Sequence, residues 1–266
     1  MRRTVGATLE VTAHLESEVE LQVAVARTPG LEVDEALLVE HDGGLLEAVE
    51  VPMSHGGRLH RVSLPEGSSR ITYQARVSGT ASPAEVDEAD LSVHRRPSRY
   101  VPSDTLAGFA ATEFSASTGP DLLTAVSSWV GTRLDYVPGS SGPTDDAADT
   151  LLSGRGVCRD YAHLTLAMLR ARGVPARLVA VYAPGCDPMD FHAVVEAYVE
   201  GAWHVVDASA LAPRTTLVRI ATGRDAADTS FMATVSGNVS LDLSEVSAVA
   251  DDGLPDDDLD ELVVLG

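Results

Sequence analysis

The stretch DFHAVVEAYVEGAWHVVDAS, residues 190–209, decides how this chain is read. Valines, alanines and aromatics alternate on both sides of Glu200 and Gly201, the pattern of two antiparallel strands joined by a tight turn. A plain hairpin needs neither His192 nor Asp207, yet both stand among apolar neighbours. If Glu200 and Gly201 alone form the turn, Val199 opposes Ala202, Tyr198 opposes Trp203, Glu196 opposes Val205 and Val194 opposes Asp207. His192 then lies diagonal to Asp207 on one face, roughly 7–8 Å away between backbones and within side-chain reach. Turn parity controls this result, because a three-residue turn sends the two side chains to opposite faces. In the even register the carboxylate accepts the hydrogen bond of one imidazole nitrogen, and the other nitrogen is left to take or give a proton.

Upstream, GRGVCRDYAHLTLAMLRARGVP (154–175) holds no helix breaker from Val157 to Arg172 and is apolar around much of its circumference, which predicts a buried helix closed by Gly173 and Pro175. Cys158 falls in its first turn. Unpaired N–H groups and the positive end of the helix dipole favour an anion there, and the Cys158 N–H is placed to hold an oxyanion. If this helix start packs against the hairpin face, a Cys-His-Asp relay results: Cys158 as nucleophile, His192 as base and then acid, Asp207 as orienter. The competing assignments are a satisfied core histidine with a strand-end cap, and a metal site of Cys158, Cys186 and His192, which lacks paired short ligand spacing. His163 is five residues past the cysteine and points elsewhere. Asp160 reads as ordinary first-turn chemistry beside Arg159, Tyr198 and Trp203 as cross-strand packing, and Cys186 as a bystander that could oxidise against Cys158.

Outward from this centre, residues 4–93 alternate apolar and polar over short runs between Gly, Ser, Pro and Asp turns, predicting a β-sandwich. His14, His41, His55 and His60 are scattered through it without ligand spacing and read as surface residues. HRRPSRYVPSD (94–104) reads as a linker, and the period then becomes helical. Leu122, Leu123, Val126, Trp129 and Val130 share one face of a helix begun by Pro120 and Asp121. A short helix follows near 144–152 with Thr144 as its cap. The expected organisation is therefore an α+β chain with an N-terminal β-sandwich domain over 1–96 and a catalytic domain over 97–266. Residues 242–261, with nine acids and no base, form an acidic strand or tail without assigned function.

Composition excludes several classes. The formal net charge of −21 opposes binding to a nucleic-acid phosphate backbone, and all 19 basic residues are arginine. No apolar run approaches the roughly 18 residues of a membrane helix. Two cysteines are too few for a disulfide framework, and the start of the chain alternates instead of forming an apolar leader, so a cytoplasmic protein is expected.

GVCRDYAHL followed by DFHAVVEAYVEGAWHVVDAS, with 34 residues from Cys158 to His192 and 15 from His192 to Asp207, resembles the bacterial transglutaminase-like superfamily over about residues 97–235. The resemblance implies a papain-like transglutaminase core, a helix bearing the cysteine packed on an antiparallel sheet, with Cys158, His192 and Asp207 as its catalytic residues. It further implies acyl transfer at amide bonds through a thioester, by a peptidase, amidase or transamidase, with a peptide or protein substrate, an amine acceptor in the last case, and no cofactor. LAPRTTLVRIATGRDAADTSF (211–231) resembles a segment that follows the aspartate and is expected to line the site. Val194 stands where many relatives carry an aromatic, and the acidic tail has no counterpart. The contrasting class is a non-enzymatic binding protein that keeps the fold; an intact triad argues against it.

Overall fold

The computed structural model describes residues 1–83 and 86–265. Seven strands come first: β1 (Arg3–Ala13), β2 (Ser17–Leu21), β3 (Leu31–His41), β4 (Gly44–Leu45), β5 (Val49–Pro52), β6 (Arg58–Leu64) and β7 (Gly67–Gly79). The expected period of two is visible in the burial of β2, where Ser17, Val19 and Leu21 point inward while Glu18 and Glu20 do not. Next come α1 (Glu88–Val93), α2 (Ala107–Glu113), α3 (Gly119–Arg133), β8 (Asp135–Tyr136), α4 (Ala147–Ser153), β9 (Arg155–Gly156) and α5 (Cys158–Ala171). The central sheet follows as β10 (Ala176–Tyr182), β11 (His192–Val199), β12 (Ala202–Val206) and β13 (Val218–Gly223), in the order β12-β11-β10-β13 with antiparallel neighbours. No helix among the described residues is long and apolar enough to cross a membrane.

The chain then turns back. β14 (Met232–Ser236) pairs with β2, and β15 (Val239–Ala250) pairs with β1 along its whole length. The sandwich sheets are therefore β15-β1-β7-β3-β4 and β14-β2-β6-β5, and a boundary at residue 96 accounts for only the first crossing between the two parts. A strand needs a partner for its unpaired N–H and C=O groups, and the outer edge of β1 supplies one to the acidic segment. The two parts also share a core: Tyr182, Val218 and Ile220 of the central sheet pack with Val23, Val25 and Tyr73, and Tyr182 Oη donates to the Val23 carbonyl at 2.7 Å.

Two local readings change. Residues 88–93 form α1, capped by the Asp87 carboxylate accepting the Ala89 N–H at 2.9 Å, inside a region expected to be strands. The cap of α4 is Asp146, which accepts from Ala148 at 2.7 Å and Asp149 at 3.1 Å, so Thr144 lies outside that helix.

α5 carries the second core. Every residue from Asp160 to Arg170 is buried, and Leu164, Leu166, Met168 and Leu169 are fully enclosed among α3, α4 and the central sheet. Each such side chain contributes about 1.5–3 kcal/mol. The helix stops at Gly173, whose φ of 80° is open to a residue without Cβ.

Candidate functional site

The hairpin has the even register. Val199 pairs with Ala202, Tyr198 with Trp203 and Glu196 with Val205, around Glu200 and Gly201 at φ 50° and 84°, the two positive values of a type I′ turn. Asp207 lies just beyond the end of β12, and His192 Nε2 sits 2.8 Å from its Oδ2. The other carboxylate oxygen accepts from the Ser209 N–H at 2.9 Å and the Ser209 hydroxyl at 2.6 Å, so Asp207 is held on both sides.

α5 does not lie on the face expected. Its side chains pack against Val195, Ala197 and Val199, whereas Val194 and Val205 belong to the cluster on the opposite face, which by parity His192 and Asp207 share. Convergence occurs at the ends of elements instead. Cys158 begins α5 and His192 begins β11, and the two starts meet at the end of the sheet, close enough for the thiol to influence the charge of the imidazole. The Cys158 Sγ lies 3.8 Å from the carbonyl oxygen of Phe191, the residue before His192. The sequence-derived residues Cys158, His192 and Asp207 are thus brought to one end of the central sheet, with His192 and Asp207 in direct contact.

Local packing prepares the helix start. The Asp160 carboxylate turns back to accept the Val157 N–H at 2.8 Å and the Ser141 hydroxyl at 2.6 Å. A Cβ on Gly156 would stand 2.5 Å from the Asp160 Cβ, so the glycine of GRGV is what lets this cap form beside Cys158.

Burial disfavours a charged His192, but the adjoining Asp207 carboxylate and the Cys158 thiol more than reverse this and hold the imidazole well above its ordinary value. Burial likewise raises the Asp207 carboxyl, and His192 and Ser209 overcome it, leaving that group below the usual range. Burial pushes the Cys186 thiol up. That keeps Cys186 a neutral thiol, and its Sγ donates to the Pro188 carbonyl at 3.4 Å.

One residue at this site has no signal in the hairpin or the helix. The short parallel pairing of β8 with β9 sets Tyr136 opposite Gly156, two residues before Cys158, and brings its phenol near the start of α5. Burial and the neighbouring Cys158 raise this phenol above its ordinary value, so it remains a neutral O–H. Twenty-two positions separate Tyr136 from Cys158, and only the pairing of β8 with β9 brings them together. Ser209 did leave a trace, because Asp-Ala-Ser at a strand end is a local side-chain-to-backbone turn.

The other residues weighed in the sequence lie away from the cysteine. His163 is buried, accepts the Ala226 N–H at 3.2 Å and stacks on Tyr100. Tyr198 and Trp203 pack against each other with ring centroids 5.5 Å apart, and Trp203 lies under Arg177 at 4.0 Å. Segment 211–231 does not line the cysteine site as a unit: residues 221–224 and 227, 228 and 230 wall a separate cavity, and Arg214 grips Asp257 of the acidic tail at 3.0 Å.

Comparison with known proteins finds several that this chain resembles. An uncharacterized protein of Mycobacterium leprae is 28% identical over 207 residues, 74% of this chain and 72% of its own. A crystal structure from Cytophaga hutchinsonii, described as that of a candidate cysteine protease, superposes with a TM-score of 0.88 at 30% identity, covering 98% of this chain and 96% of that one. The periplasmic domain of TgpA from Pseudomonas aeruginosa gives a TM-score of 0.43 at 18% identity, over 76% of this chain and 86% of that one. The sequence profile of the transglutaminase-like superfamily matches residues 110–208, the stretch that contains Cys158, His192 and Asp207, and the chain belongs to that superfamily.

Proposed function

We propose that the protein is a cysteine-dependent acyl-transfer enzyme acting on amide bonds of a peptide or protein. The observation that carries this reading is the meeting of the α5 start with the His192–Asp207 pair: the 2.8 Å imidazole–carboxylate bond fixes the ring, and the Cys158 Sγ lies 3.8 Å from the carbonyl of the residue preceding His192. Cys158 sulfur attacks the amide carbonyl carbon while His192 takes the thiol proton, and Asp207 stabilises the imidazolium that results. The Cys158 N–H and the Tyr136 hydroxyl are the donors for the oxyanion of the tetrahedral intermediate. When the C–N bond breaks, His192 returns its proton to the leaving amine, and Cys158 holds the acyl group as a thioester. Water or a second amine then attacks that carbonyl, His192 removes the attacker's proton and returns it to sulfur, and the C–S bond breaks. Water gives hydrolysis and an amine gives transamidation. With no lysine in the chain, an amine acceptor has to come from another molecule. We place this chemistry in the cytoplasm on the strength of the free thiols Cys158 and Cys186.

The test is a peptide library incubated with pure protein, with and without a primary amine, and weighed by mass spectrometry, alongside labelling by a thiol-directed reagent near neutral pH. Mass changes at amide bonds, rapid labelling of Cys158 and its slowing in His192→Ala are expected. Labelling no faster than a free cysteine and indifferent to His192→Ala would end this reading.

A further inference from the structure

The large cavity is not at the cysteine. It measures about 860 Å³ and lies between the turn at His55, α1 and the 221–233 segment. Three side chains converge in its wall. Asp90 and His94 are one turn apart along α1 and its C-terminal cap, and His55 reaches them from the turn between β5 and β6. One carboxylate oxygen, Asp90 Oδ1, lies 2.9 Å from His94 Nε2 and 3.3 Å from His55 Nε2, and the three ligand atoms are within 4.8 Å of one another. Of the histidines scattered through the sandwich without ligand spacing, His55 is the one that the fold carries to the Asp90–His94 pair.

We infer that His55, Asp90 and His94 form a binding site for one transition-metal dication, zinc by ligand chemistry, with the fourth coordination position left to a ligand from the cavity. Two imidazole nitrogens and one carboxylate oxygen are zinc donors, whereas calcium and magnesium take oxygen. The geometry is close to what such an ion needs. A tetrahedron with bonds of about 2.0–2.1 Å has edges of roughly 3.3 Å, so the 3.3 Å edge fits, the 2.9 Å edge opens by a few tenths, and the edge between the two imidazoles, within 4.8 Å, closes to match.

Two further observations point the same way, beside the burial of His94, which is 4% exposed. His55 holds a left-handed backbone, φ 57° and ψ 30°, which strains a residue other than glycine and sets its ring at the junction. The cavity wall is acidic, with Glu20, Asp87 and Asp228 besides Asp90 against Arg224. The nearest cation, Arg177, bonds Asp90 Oδ2 at 3.2 Å, orienting the carboxylate from behind, and its charge is shared with Glu196 at 2.8 Å. Arg177 also lies 3.2 Å from His55 Nδ1. On loading, the Nε2 atoms exchange their bonds to Asp90 for the ion, and Arg177 keeps the carboxylate oriented through Oδ2. The ion would clasp the turn between β5 and β6 to α1.

The experiment is zinc titration by calorimetry of the full chain and of Cys158→Ala, which removes the competing thiol, with cobalt(II) as the spectroscopic probe. We expect one equivalent bound in both, visible bands of tetrahedral cobalt, and a higher unfolding temperature with zinc present. His55→Ala, on a half-buried turn, should weaken zinc at least ten-fold while its circular dichroism stays unchanged, and Asp90→Asn should do the same. Absence of a one-equivalent site, a site that survives His55→Ala, or one that vanishes in Cys158→Ala would overturn the assignment.

Discussion

One face of the central sheet carries two buried carboxylates with opposite fates. At the open end Asp207 holds His192 and Ser209; further along, Glu196 sits between Arg177 at 2.8 Å and Arg219 at 2.6 Å. Burial disfavours both anions, and neighbours overcome it in both, taking Glu196 down to about 2. What differs is the partner. A guanidinium keeps its proton at any working pH, so the Arg177–Glu196–Arg219 group is a fixed lock between β10, β11 and β13. An imidazole trades its proton, and His192 begins its strand, where a thiol can reach it. Under the proposed function, the same acid on the same surface becomes structural or chemical according to whether its neighbour titrates.

Under the proposed chemistry, the sharpest separation of the two ends is Cys158→Ala, which should lower turnover roughly 10⁶-fold while changing stability by less than about 1 kcal/mol; assay and urea denaturation on one preparation report both. Asp207→Asn should reduce turnover roughly 10⁴-fold by releasing the ring tautomer, and single-turnover rates that stay near wild type would erase the distinction drawn here. Glu196→Gln acts at the other end and should destabilise by about 3–5 kcal/mol, because the largely enclosed Arg219 loses its counter-charge and the buried Arg177 keeps only Asp90. Activity per folded molecule should hold, and a matching loss of turnover would show that the ends are not independent. Tyr136→Phe should lower turnover about 10²–10³-fold with little change in KM, as expected for a lost oxyanion donor.

The smallest effect is in pH dependence. His192 is raised in the fold, so the stability it contributes is complete below its unfolded value of 6.5 and lost as pH climbs through the folded value. Asp207 is depressed, so its contribution is complete above 3.8 and lost as pH falls through its folded value. Denaturation midpoints should show both contributions between those values, and Asp207→Asn should flatten the alkaline decline. Glu196→Gln should leave that decline as it is.

The elements around the site were legible because they obey local rules. Alternation marked the sandwich strands, Gly173 and Pro175 closed α5, and Glu200-Gly201 set an even turn from which the His192–Asp207 pairing follows. Harder to read were α1, six residues long and capped by one aspartate, and the second crossing of the chain. β14 and β15 look like any exposed strands, and their partners β1 and β2 lie more than two hundred positions away. Nothing local tells an edge strand which edge it will cover.

By itself the sequence determined the chemistry available: a thiol at a helix start, an imidazole and a carboxylate on one face of a hairpin, and a strong excess of acid. Those follow from periodicities of 3.6 and 2 residues, which act over a few positions. Only the tertiary structure decided that Cys158 meets His192 around the end of the sheet, that Tyr136 joins them through a two-residue parallel pairing, and that His55 is carried to Asp90 and His94. Such meetings depend on how whole layers pack, and packing is settled by shape and burial summed over the molecule.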